Sequence, residues 1–191
     1  WTRILGDASG QNGSCPDDTA ATSCRTRVAD VFVTENGTVY FLDDGLIRTI
    51  TPGNKVVTLM GQSQISGLNG PSLSARLSNF IRTFRMADDG RIAFGSQVTH
   101  TLYEIDPTGN LYNIAGNGTV GAPTLGVDAK TTYLNLEHPN STGDNFAMDP
   151  VTGDIYHSAG DWRIAKLTRD TSAIGSRGVW SSYIGSGANN W

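Results

Sequence analysis

The chain has 191 residues, of which 14 are basic and 18 acidic, for a net charge of -4, with the charges interspersed. No run of lysine or arginine could track a phosphate backbone, so nucleic acid is not expected as a partner. No apolar run approaches the roughly 20 residues that a membrane-spanning helix needs, and no membrane span is expected.

The 23 glycines and 7 prolines, with many Ser, Thr, Asn and Asp residues, favour short strands joined by tight turns over long helices. The length suits one sizeable core and no compositional break divides it, so a single domain over 1–191 is expected. The chain starts at Trp1 and both ends fall inside a repeated pattern, so it is expected to be a processed protein or a segment of a larger one.

In chain order, residues 2–5 read as a strand stopped by Gly6, followed by a Gly-, Asp- and Thr-rich loop over 7–27. That loop carries the chain's two cysteines, Cys15 and Cys24. Their spacing lacks the second pair or nearby histidines that zinc requires. They read as one disulfide in an oxidising compartment, with two reduced thiols of a cytosolic protein as the alternative. Strands follow over 28–33, 38–42, 46–50 and 55–60, separated by Glu35-Asn36-Gly37, Asp43-Asp44-Gly45 and Thr51-Pro52-Gly53-Asn54. After a loop over 62–81 come strands at 83–87, 91–95, 101–105 and 111–115. After a second loop, over 117–144, come strands at 145–148, 154–158, 163–167 and 179–184.

Each group of four ends on a glycine, at Gly61, Gly116 and Gly185, and Gly6 likewise follows a short apolar stretch. The intervals are 55 (61 − 6), 55 (116 − 61) and 69 (185 − 116), and the excess of the last falls in loops. A repeat of about 50 residues with four strands is the pattern of a β-propeller blade. The expected fold is therefore all-β, with three four-stranded antiparallel blades over about 28–61, 83–116 and 145–185. Residues 2–5 are expected to be the last strand of a preceding blade. A ring typically holds 4–8 blades, so three are expected to belong to a larger or oligomeric propeller.

The stretches AGNGTVGAPTLGVDAKTTYLN (115–135) and FAMDPVTGDIYHSAGDWRIAKL (146–167) resemble the NHL-repeat propellers of bacterial extracellular proteins and of teneurin-like and RHS-type proteins. SGLNGPSLSARLSNF and LYEIDPTGNLYNIAGNG in the second unit extend the resemblance over nearly the whole chain. It implies a propeller whose relatives include binding platforms, structural modules and a few enzymes. The aspartate usual at the end of the second strand is matched by Asp43, while the other units read Phe94-Gly95-Ser96 and Tyr156-His157-Ser158.

Propeller topology sets the second-to-third strand connections and the interblade loops on one face, and loops are where binding residues concentrate. On that face Asp161, Trp162 and Arg163, with His100, are the candidate binding residues: an indole flanked by charges suits a protein or carbohydrate contact. The competing role for Trp162 is packing against the neighbouring blade. His100, His138 and His157 map to the same face and would be the ligands of a metal in a channel mouth, against the plainer role of solvated histidines. Asp17-Asp18, Asp43-Asp44 and Asp88-Asp89 offer oxygen ligands to calcium but lack the spacing of a calcium loop, and Asp-Gly pairs serve hairpin turns. No cofactor is expected, with calcium or zinc as the alternative. Asn12, Asn36, Asn117 and Asn140 begin Asn-X-Ser/Thr sequons. No catalytic constellation is found. The expected function is a non-catalytic extracellular or cell-surface scaffold or adhesion module, whose partner is another protein, further blades or copies of itself, or a carbohydrate. The alternatives are a lyase- or hydrolase-type propeller enzyme with a channel metal and a structural subunit of a surface fibre.

Overall fold

The structure is a computed structural model and describes residues 1–13, 15–62, 70–77, 81, 83–136, 146–158, 161–169 and 178–187. It is all-β, with 3-10 turns as its helical elements among the described residues. The first blade comprises β1 (Val28–Val33), β2 (Val39–Asp43), β3 (Leu46–Ile50) and β4 (Val56–Gln62). Two short strands follow, β5 (Gly70–Pro71) and β6 (Arg76–Leu77). The second blade comprises β7 (Phe84–Met86), β8 (Ile92–Ser96), β9 (Thr101–Ile105) and β10 (Asn110–Ala115). The third comprises β11 (Phe146–Met148), β12 (Ile155–Ser158), β13 (Ile164–Thr168) and β14 (Val179–Ile184). Each blade is an antiparallel meander in sequence order, as its spacing predicts.

Turn chemistry explains these hairpins. Four connections share one form, in which the last loop residue takes a positive φ: Gly37 (83°), Asn54 (57°), Gly90 (89°) and Gly109 (86°). In each, that residue donates its amide to the carbonyl three residues back: Thr34, Thr51, Ala87 and Asp106. A three-residue loop ending in the left-handed conformation matches the twist of the strands it joins, and glycine or asparagine adopts it at least cost. Asp44-Gly45 is the tighter two-residue version, with φ of 48° and 85°.

The innermost strands of consecutive blades touch, β1 against β7 and β7 against β11. Asp30 of β1 accepts hydrogen bonds from the Thr83 hydroxyl (2.5 Å) and the Phe84 amide (3.2 Å), and the Arg85 guanidinium lies 5.8 Å from the Phe146 ring centre. Core is built between blades. One buried cluster joins Leu42, Ile47 and Met60 of the first blade to Phe84, Met86, Ile92, Phe94 and Leu111 of the second. Another joins Ala93, Leu102 and Ala115 of the second to Phe146, Ile155, Ala165, Leu167 and Trp180 of the third. A third sets Phe41 and Val56 under Cys15, Ala21, Cys24 and Leu5.

Cys15 and Cys24 form a disulfide with Cα atoms 5.0 Å apart. The described parts of the long loops pack on the outermost strand of the blade that follows. Ala21 donates to the Asn54 carbonyl, Ser72 to Gly109 and Ala129 to Gly178, each at a 3-10 turn. These loop segments thus form junctions between blades.

Residues 2–5 pair with no strand among the described residues, and Gly6 donates to the Ala21 carbonyl (3.0 Å) as Gly116 does to Ala129 (2.9 Å). The fourth-strand appendages β5 and β6 were not foreseen, being only two residues each and lacking any periodic signal. Elsewhere strand limits differ by one or two residues, and Asn145 lies outside the described residues.

Candidate functional site

The second-to-third connections present the candidate residues. His100 and Trp162 hold left-handed backbone, with φ of 44° and 64°. They are equivalent positions, because a side chain on Gly116 would strike the His100 carbonyl oxygen and one on Gly185 would strike that of Trp162. A bulky residue in this conformation costs on the order of 1–3 kcal/mol and is a marker of constraint. The closing glycine is therefore matched to the turn it faces.

At the third blade this turn holds Trp162, 62% exposed, between an ion-paired Asp161 and Arg163. The hydrogen bond from Arg163 to Asp161 raises the guanidinium pKa further, so it stays charged. Ser158, Trp162, Arg163, Ile164 and Ile184 line a shallow hollow of about 360 Å³. This arrangement offers contact surface: a flat indole, guanidinium donors fixed by Asp161 and an apolar floor from Ile164 and Ile184. Three of the four predicted residues, Asp161, Trp162 and Arg163, are thus brought together. His100 is buried at the corresponding turn of the adjacent blade.

The histidines do not gather as a metal site among the described residues, where no group of three or more His, Cys, Asp or Glu side chains is placed to hold an ion. His157 points into the core of blade 3, fully buried, with its ring 5.9 Å from that of Trp180. Strand register explains why. His157 pairs with Phe146 as Phe41 pairs with Val31 and Phe94 with Phe84, so it fills a position that is phenylalanine in the other blades. His138 lies outside the described residues.

The paired aspartates serve the framework. Asp43 accepts the Arg27 amide (2.8 Å) and an Arg48 Nη1 bond (3.0 Å). Asp17 accepts from Arg48 (3.0 Å) and the Thr58 hydroxyl (2.7 Å), and Asp89 from Arg91 (2.6 Å). Asp17 is consequently held below the ordinary carboxylate value: burial works to raise it, and the Thr58 and Arg48 bonds outweigh burial.

Sequence reasoning missed two buried groups. Arg48, fully enclosed in β3, donates to Asp43, Asp17 and the Cys15 carbonyl, tying the disulfide loop to the first blade. Glu104 of β9 pairs with Arg169 of the third blade, both buried. Their signal was a charge in the middle of an apolar strand, LIRTI or TLYEI, where alternation alone would put it on a packed face.

No protein-family model and no curated protein matches the sequence. Among solved structures, a streptogramin B lyase is 16% identical, with 90% of this chain and 42% of that one covered, at a TM-score of 0.47. A catalytically inactive virginiamycin B lyase from Staphylococcus aureus, solved with quinupristin, is 16% identical over 87% of this chain and 44% of that one, at a TM-score of 0.46. The chain spans less than half the length of these structures. The blade architecture rests on the strand pairing described above.

Proposed function

We propose that this chain is a non-catalytic extracellular interaction module built on NHL-like propeller blades, serving as a scaffold or adhesive surface for a protein partner. The observation that carries this reading is the Asp161–Trp162–Arg163 turn. Its indole stands exposed on strained backbone with an ion pair holding the turn, and buried aromatic anchors of this kind dominate binding energy once a partner covers them. The Cys15–Cys24 disulfide supports an oxidising, extracellular location. Carbohydrate is the second chemistry that the indole suits.

The test is binding of labelled, secreted chain to intact cells and to an immobilised glycan panel. Trp162→Ala should keep its melting temperature and weaken binding about tenfold or more. Equal binding by the two proteins, or substrate turnover by the purified chain, would overturn the reading.

A further inference from the structure

Asn12, Asn36, Asn69 and Asn117 each precede a glycine, and two of these pairs open the same sequence, Asn-Gly-Thr-Val, at 36–39 and 117–120. Asn69 lies outside the described residues, as does Ser14 beside the Asn12-Gly13 pair. The two matching pairs also share their local geometry. Both asparagines are exposed. Each turns its side-chain oxygen onto the amide two residues on, Asn36 Oδ1 accepting from Thr38 (3.1 Å) and Asn117 Oδ1 from Thr119 (3.0 Å). That bond folds the side-chain carbonyl back over the following peptide and draws electron density from its carbon. The glycines match as well, with φ of 83° at Gly37 and 91° at Gly118. One difference separates the sites. The Gly37 amide donates to the Thr34 carbonyl (2.9 Å) within its hairpin, whereas the Gly118 amide donates to no group among the described residues.

We propose that Asn117 is a site of self-modification, where the Gly118 nitrogen displaces ammonia from the Asn117 side chain and water opens the resulting ring. The Gly118 nitrogen gives up its proton and bonds to Asn117 Cγ, the Cγ–Nδ2 bond breaks, and ammonia leaves carrying that proton. Water then adds to the five-membered imide. Opening at the side-chain carbonyl gives aspartate, and opening at the main-chain carbonyl gives isoaspartate. Glycine favours the first step because no Cβ crowds the attacking nitrogen. At Asn36 the same nitrogen must first leave the Thr34 carbonyl, which the hairpin opposes. The position gives the reaction a structural consequence. Asn117 follows the closing Gly116, its amide donates to the Thr132 carbonyl (2.9 Å) and its Nδ2 to the Thr131 carbonyl (3.2 Å). Conversion sets a carboxylate oxygen against a carbonyl where a donor stood, and the isoaspartyl form adds a methylene to the main chain. The change therefore falls on the loop joining the second and third blades, apart from the turn that presents Trp162.

Peptide mass mapping of the purified chain, made without glycosylation because Asn117 begins a sequon and held at mildly alkaline pH, tests the proposal. A gain of about 1 Da should accumulate at residue 117. It should do so about fivefold or more faster than at residue 36, the effect of one net backbone hydrogen bond. The same chain held in concentrated urea is the control. There both sites keep identical residues from Asn to Val and lose their tertiary surroundings, so their rates should converge. Absence of conversion at residue 117, equal or faster conversion at residue 36 in the folded chain, or the same disparity in urea would overturn the proposal.

Discussion

At Gly116 the constraint is steric and conformational together: φ is 90°, and the backbone of His100 and Thr101 crosses where a side chain would begin. Gly116→Ala should therefore destabilise by roughly 2–3 kcal/mol, read as a lower urea midpoint with unchanged slope. The sequence displayed this glycine as a repeat marker, but its reason is tertiary, since only the folded blade brings the carbonyl of residue 100 against residue 116. His157 shows the same limit. Its chemistry drew attention to a metal role, whereas its position, equivalent to Phe41 and Phe94, depends on register and could not be read from spacing. His157→Ala should destabilise by roughly 2–5 kcal/mol in the same denaturation measurement, because it empties a fully buried site.

The turns are the elements most directly encoded. Asp106 accepts from the Thr108 amide (2.9 Å), the Thr108 hydroxyl (2.7 Å) and the Asn110 amide (2.9 Å), closing the hairpin between β9 and β10. Burial works to raise its carboxyl, and the Asn110 and Thr108 donors outweigh burial and hold it below the ordinary value. Asp149 is lowered by the amides of Thr152 and Val151 in the matching role. A carboxyl with a lower pKa folded than unfolded contributes stability above the unfolded value, and that contribution is lost as pH falls through the folded one. The melting temperature should thus decline from about pH 4 downward. Asp106→Asn, which keeps an acceptor oxygen, should flatten that decline. Strands were legible because alternation and Asp-Gly or Pro-Gly turns coincide. Residues 2–5 have the same apolar pattern but pair with no strand among the described residues, since a strand needs a neighbour as well as its own residues.

At the scale of the molecule, cohesion lies between blades, and the buried Glu104–Arg169 pair is one such tie. Burial pushes the Glu104 carboxyl up, and Arg169 pulls it back. With the folded value raised, stability falls as pH rises from the unfolded value through the folded one, opposite in sign to Asp106. Removing either partner leaves the other charge buried and should cost roughly 3–5 kcal/mol in equilibrium unfolding, whereas Glu104→Leu with Arg169→Met together should cost less than either alone. The junctions themselves are local: a closing glycine, the loop after it and the outer strand of the next blade. Such a chain is held by nearest-neighbour contacts. Duplicating one blade with its loop would copy a single junction and leave every other untouched, so blade number can change in evolution by whole units without redesign of what is already there.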